Sequence, residues 1–316
     1  MSPADGDVLD RPNIRNRPHF RDRLREGPPL VLDGATGTEL TRRGVDTGLP
    51  MWSAKALLHA PDTLVAIPGD YVEAGAEIIT ANTFRTHQRS LAAAGHGDKA
   101  ATLTARAVQL AREATAMIPT GGARSVYVAG SMAPLEDCYS PHLVPDSGAL
   151  ATEHGEMAAA LADAGADLLL VETMNTIREA AAAAQAAVAT GLPVLVGLVC
   201  GRDGKLLSGE SVPDAAGKLV GLGVDGLLIN CSPTPVLGAA LAALAAATDL
   251  PIGAYGNVGY ADDKVGWVNT DSVDPDAYAR NAEAWLDLGA RVIGSCCGTG
   301  PAHTAALRAS IGAWRG

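Results

Sequence analysis

Aromatic side chains are scarce in this sequence: two phenylalanines, four tryptophans and six tyrosines, 4% of the chain. A core so poor in rings must be built from aliphatic side chains and alanine, and any ring near a reactive centre becomes informative. Positive charge is also in deficit. Lys and Arg number 24 against 35 Asp and Glu, leaving a net charge of -11. That balance argues against nucleic acid or an anionic membrane as the main partner. Cysteine is sparse and odd in number: Cys138, Cys200, Cys231, Cys296 and Cys297. Such a set is not a secreted disulfide framework, and the neighbours Cys296 and Cys297 are badly placed to pair with each other. No apolar run approaches the ~20 residues of a membrane span. The polar, charged N-terminus does not read as a signal peptide. A cytoplasmic protein acting on small molecules is the expectation, with the oligomeric state left open.

What is present is alternation. Hydrophobic residues make up 47% of the 316 residues, enough for a sizeable core. Short β-type runs cover 30–34, 77–82, 125–131, 167–173, 193–199, 225–231, 251–257 and 291–297. Nearly all are continuously apolar, as strands buried on both faces should be. Helical patterns lie between them, for example over 98–118, 148–164, 176–190, 235–247, 274–288 and 301–313. A faint repeat, "EAGAEII", "DAGADLL", "GLGVDGLL" and "DLGARVI", leads into the second, fourth, sixth and eighth runs. In each, a glycine ends a helix where a left-handed residue is wanted. Eight βα units predict a single-domain α/β fold, a (β/α)8 TIM barrel over 29–316. A doubly wound open sheet is the alternative. Residues 1–28 carry several prolines and six arginines between Arg11 and Arg25, mixed with acids. They read as a flexible leader, with a targeting or interaction arm as the other possibility.

In such a barrel function sits where strands end. Those positions are Asp33-Gly34, Asn82-Thr83, Gly130-Ser131, Glu172-Thr173, Asn230-Cys231, Asn257 and Cys296-Cys297. Cys231 ends the sixth run and the adjacent pair ends the eighth, so three thiols can converge over the barrel mouth. Three thiolates suit Zn2+, and a three-ligand site leaves a fourth position open, as catalytic zinc sites do. A buried cysteine is also simply a small hydrophobe. That alternative stands for the trio and is the preferred reading of Cys138 and Cys200. A metal-free lyase or aldolase would want a strand-end lysine, and none is offered.

The segments "LDGATGTEL" (32–40), "ANTF" (81–84), "ETM" (172–174), "NCSP" (230–233), "YGNVG" (255–259) and "IGSCCGTGPAH" (293–303) carry a resemblance. Together, and in this order, they resemble the homocysteine S-methyltransferase family over about residues 28–313. That family includes the homocysteine-binding modules of cobalamin-dependent methionine synthases and the betaine and S-methylmethionine enzymes. The resemblance implies a (β/α)8 barrel in which Cys231, Cys296 and Cys297 bind zinc. It also implies that Asp33 and Glu172 hold the amino-acid end of homocysteine. Residue-level alternatives are a turn or helix cap at Asp33 and a barrel-mouth ion pair at Glu172. Gly34, Thr36, Ser131, Asn230 and Trp52 complete the candidate substrate contacts. Two departures from the family pattern stand out. Ser295 replaces a glycine of "GGCCGT", and "GSMAPLEDCYSP" (130–141) replaces a "GSIGPYG" type of loop.

The implied chemistry is methyl transfer from an onium donor to a zinc-bound thiolate. A free thiol, with a pKa near ~8.5, is mostly protonated at neutral pH, and a metal strips that proton. An onium methyl favours an aromatic face. Trp52, in the first βα loop, is the main candidate, with a packing role on the rim as its alternative. Tyr255, Tyr260 and Trp267 are weaker candidates. The length leaves no room for cobalamin, folate or reactivation domains, and no Rossmann-type glycine loop is evident. S-methylmethionine or S-adenosylmethionine is therefore the expected donor. Two further readings remain: a methyltransferase for a different thiol or selenol, and a non-enzymatic zinc-binding barrel.

Overall fold

The computed structural model describes residues 18–118, 124–262 and 266–314. Its frame is eight parallel strands: β1 (Leu30–Val31), β2 (Ile78–Ala81), β3 (Tyr127–Met132), β4 (Leu168–Met174), β5 (Val194–Leu198), β6 (Gly226–Pro233), β7 (Ile252–Asn257) and β8 (Ala290–Ser295). From β2 onward each pairs with the next, and β8 pairs with β1. A parallel bridge from Leu32 to Ile78 joins β1 to β2 and closes the ring. An open doubly wound sheet would leave that edge unpaired. The chain is therefore a (β/α)8 barrel, built as one domain.

The apolar runs became strands because both of their faces are covered. One set of side chains, among them Leu32, Ile78, Leu170, Leu195, Leu228 and Val292, fills the barrel interior. The alternate set, including Val31, Ile79, Val128, Val171, Val196 and Ile229, packs under the surrounding helices. The repeated glycines do what the pattern asked. Gly75, Gly165, Gly223 and Gly289 all hold positive φ, between 81° and 112°, a region that costs an L-residue with a Cβ energy. A two-stranded antiparallel ribbon, Gly259–Asp262 with Gly266–Asn269, follows β7 and was not expected from the sequence.

Packing begins before residue 28. Residues 1–17, with Arg11, Arg15 and Arg17, lie outside the described residues. The helix Phe20–Arg25, however, buries Phe20 and Leu24 within the interior cluster. Phe20 meets Tyr127 edge-on, with centroids 5.1 Å apart. Arg21 pairs with Asp225 at 2.7 Å and Arg23 with Glu77 at 2.9 Å. Glu77 and Asp225 both precede strands, so this helix stoppers the N-terminal end of the barrel. Part of the arginine-rich stretch thus has a structural use that local sequence could not reveal, because its partners lie 54 and 204 residues away.

Among the described residues no helix is long and apolar enough to cross a membrane.

Leu24 is 1% exposed. Leu24→Ala should cost about 2–5 kcal/mol, measured as a lowered Tm. Metal content should be unchanged, since the stopper lies at the opposite end from the cysteines.

Candidate active site

Register brings the thiols together. Asn230 of β6 and Gly294 of β8 both lie opposite Tyr255 of the intervening β7. The residues just beyond them, Cys231 and the Cys296-Cys297 pair, therefore emerge at the same height. Their three sulfurs lie within 4.8 Å of one another, and those of Cys231 and Cys297 are 3.8 Å apart. All five cysteines are free. Asn257, at the end of β7, ties the two walls. Its Nδ2 donates to the Cys231 carbonyl (2.9 Å) and its Oδ1 accepts the Cys297 N–H (3.1 Å). The Cys296 N–H adds a bond to the Gly256 carbonyl. Hydrogen bonds from the Cys296 and Cys297 thiols hold the Cys231 thiol well below its usual range, while the same bonding to Cys231 raises those two.

The backbone is strained at this place. Among the described residues, the only non-glycine residues with positive φ are Trp52 (47°), Thr173 (61°) and Cys231 (50°). All three line one cavity of about 320 Å3 at the C-terminal mouth of the barrel. Such conformations cost roughly 1–3 kcal/mol each and cluster at functional sites. Thr173 is held in place by Asn230, which accepts the Thr173 N–H (3.0 Å) and donates to its hydroxyl (2.9 Å).

Two carboxyl groups sit at the cavity floor. Asp33 is 3% exposed and Glu172 8%. Asp33 caps no helix; the adjoining helix Thr36–Arg42 begins after Ala35. Its oxygens accept the Thr80 N–H (2.7 Å) and hydroxyl (2.8 Å) instead. Glu172 has no cationic partner among the described residues. It accepts hydrogen bonds from the Ser131 hydroxyl and the Tyr255 phenol. Burial pushes both acids up to about 7, against the lowering effect of those hydrogen bonds. Glu172 adds to the rise at Asp33, and Cys231 to that at Glu172.

Of the other sequence candidates, Gly34, Thr36, Ser131 and Trp52 line the cavity. A Cβ at Gly34 would press on the Tyr71 and Ser295 hydroxyls at 2.8 Å, so the close approach there needs glycine. The Trp52 ring packs over Gly37, where a Cβ would collide with it, and meets Phe84 edge-on at 5.6 Å. Its rim-packing and cavity-lining roles thus coincide. Asn230 is different: it is fully buried behind Thr173 and does not line the cavity. Its amide is spent on Thr173, which makes it a backbone clamp and not a surface that a substrate reaches. Tyr255 is turned to Glu172. The side chains of Tyr260 and Trp267 lie outside the described residues.

Sequence reasoning missed several groups. Tyr139, from the divergent third loop, reaches back so that its phenol lies 3.1 Å from the Cys231 sulfur. Phe84, Arg85 and Asp137 also line the cavity. Ser295 is buried, lines the cavity, and its hydroxyl has no partner among the described residues. Its signal was visible as a departure from the glycine of the family motif. Cys138 also lines the cavity, outside the three-sulfur cluster.

A parallel barrel carrying a three-thiol metal-type centre beside two buried acids is a design of thiol methyltransferases. The chain belongs to the homocysteine S-methyltransferase family, whose sequence profile (Homocysteine S-methyltransferase) matches residues 30–311. It is 34% identical over 300 residues to the Homocysteine S-methyltransferase of Escherichia coli (strain K12), covering 89% of this chain and 94% of that protein. It is 29% identical over 323 residues to the Selenocysteine Se-methyltransferase of Brassica oleracea var. italica, covering 91% and 90%. In structure it is similar to the metallated form of the homocysteine methyltransferase MmuM from Escherichia coli. The TM-score is 0.80 at 32% identity, over 92% of this chain and 99% of that one. The chain is thus an enzyme of methyl transfer.

The raised acids set a pH dependence. A free Asp loses its proton near 3.8, whereas Asp33 keeps it to about 7. As pH rises from 4 to 7 the unfolded chain therefore gives up this proton before the folded one, and stability falls across that window. The full gap corresponds to about 2–4 kcal/mol. Asp33→Asn retains partners for both Thr80 groups and removes the charge. Without ligands, it should match the parent at or below about pH 4 and exceed its Tm at pH 8. A Tm difference that does not change with pH would refute the assignment.

Proposed function

We propose that Cys231, Cys296 and Cys297 hold a zinc ion and that the enzyme moves a methyl group from a small onium donor to the thiol of L-homocysteine, forming methionine. The observation that carries this reading is the convergence of three unpaired sulfurs beside two buried carboxyl groups. The donor set fits the ion. Tetrahedral zinc with Zn–S near ~2.3 Å has sulfur–sulfur edges near ~3.8 Å, matching the Cys231–Cys297 separation. Bound there, zinc would keep the acceptor's sulfur in its thiolate form near neutral pH.

The chain's own residues do the rest. Asp33 and Glu172 are costly anions only until a cation arrives, and the α-ammonium of homocysteine supplies one. Ser131 and Tyr255 aim the Glu172 carboxylate, and the unpartnered Ser295 hydroxyl is free to meet the acceptor's amino-acid end. The Trp52–Phe84 pair offers an aromatic wall for the onium, an attraction of roughly 0.5–2 kcal/mol. Holding donor and acceptor in line removes much of the entropic barrier. The acceptor's sulfur pair forms the new S–CH3 bond. The donor's S–CH3 bond breaks with its pair returning to the donor sulfur, and the thiol proton is released. S-methylmethionine and homocysteine thus give two methionines.

A cavity of about 320 Å3 is at the small end of ligand sites, which span roughly 300–1,000 Å3. Because it must admit two substrates, S-methylmethionine is favoured over the bulkier S-adenosylmethionine. The similarity to a Selenocysteine Se-methyltransferase supports a second acceptor reading, a selenol at the same centre. Free thiols throughout suit a reducing compartment, and we place the reaction in the cytoplasm.

Elemental analysis of reduced protein should find one zinc per chain. Cys297→Ser should lose it together with methionine formation from homocysteine and S-methylmethionine. Metal-free protein, purified reduced and without chelator, would sink the reading. Asn257→Ala, which removes the tie between the two cysteine walls, should weaken zinc about 10–100-fold in a chelator competition while leaving the fold intact.

A further inference from the structure

We propose that Arg85 and Asp137, at the mouth of the cavity, bind the α-carboxylate and α-ammonium of the methyl donor. This rests on the methyl-transfer reading above.

Arg85 is half-buried and lines the cavity. One of its nitrogens donates to the Glu136 carbonyl at 3.2 Å. Among the described residues no carboxylate pairs with it. Its neighbour Arg89 is saturated by contrast, with Glu136 at 2.9 Å and Glu153 at 2.5 Å. A guanidinium with open donors, facing a cavity, suits a carboxylate, which it can take with two parallel hydrogen bonds. Asp137 supplies the opposite charge. Among the described residues its carboxylate accepts only the Tyr139 N–H (3.2 Å) and the Ser140 hydroxyl (2.7 Å), and it lines the same cavity without a cationic partner.

The two charges are placed for one ligand. The Arg85 guanidinium carbon stands 5.5 Å from the centre of the Phe84 ring, and Phe84 is the ring that meets Trp52. A sulfonium against the Trp52–Phe84 wall therefore has a cation beside it for a carboxylate, and Asp137, next in the chain to the Glu136 whose carbonyl Arg85 holds, offers an anion for the ammonium. In S-methylmethionine three carbons join the sulfonium to the carboxylate, and the ammonium stands on the last of them. The acceptor's own ammonium is served by Asp33 and Glu172 on the floor, so each substrate has its own anchors.

The test compares S-methylmethionine with its carboxamide, which keeps the ammonium and the sulfonium but lacks the carboxylate. Wild-type enzyme should prefer S-methylmethionine by at least 10-fold in KM, and Arg85→Gln should reduce that preference to about 2-fold or less. The KM for homocysteine and the metal content should stay unchanged. Arg85→Lys should restore part of the preference, which a purely structural defect would not allow. A preference that survives in Arg85→Gln, or a loss that falls on the KM for homocysteine, overturns the proposal. If neither compound methylates homocysteine, the methyl-transfer reading fails. Calorimetric titration of the same two compounds into wild type and Arg85→Gln then decides the binding proposal by the same ratio.

Discussion

Three sulfurs on two separated strands can meet only if the strands between them hold both ends at one height. Here that constraint is met by β7. Through its register with β6 and β8 it sets Asn230 and Gly294 level, and through Asn257 it ties the cysteine backbones beyond them. Everything functional depends on this. Barrel closure fixes the register, and the register sets the sulfur separation. A left-handed turn at Cys231 then points its thiol at the pair. The stopper helix at the far end supports the same ring from below, with its arginines on the acids that precede β2 and β6.

The mouth concentrates costs that the rest of the fold avoids. Among the described residues two carboxyl groups are buried without counter-ions, and three non-glycine residues hold strained backbone. Thr173 needs the Asn230 amide to stay there, and Asn230 in turn needs Gly197, where a Cβ would lie 2.7 Å from its side-chain oxygen. A site arranged this way is pre-organised for charges it does not itself contain. An ammonium would relieve the buried acids, and a shared cation would relieve the clustered thiols.

Much of this was legible in the sequence, for identifiable reasons. Parallel strands covered on both faces must be continuously apolar, so "DLLLVET" and "DGLLINC" announce themselves. Glycines that close helices recur because few other residues accept their φ. Thiols and acids that end such strands must share the mouth. What stayed hidden depends on long-range partners or on backbone angles without a residue signature. Neither threonine, cysteine nor tryptophan advertises positive φ. Asn230 sits at a strand end like a ligand, yet it faces the Thr173 backbone. Arg21 and Arg23 looked like part of a loose leader because their acids are distant in sequence. Tyr139 and Arg85 come from loops, whose paths the local pattern does not dictate.

The central claim is that the three cysteines form a metal seat open to the acceptor's sulfur. Zinc K-edge X-ray absorption of the reduced enzyme, before and after homocysteine is added, tests it most directly. The account predicts a sulfur-rich shell that gains one further sulfur on saturation with homocysteine. A shell with unchanged sulfur content, in enzyme shown to have bound homocysteine, would contradict it.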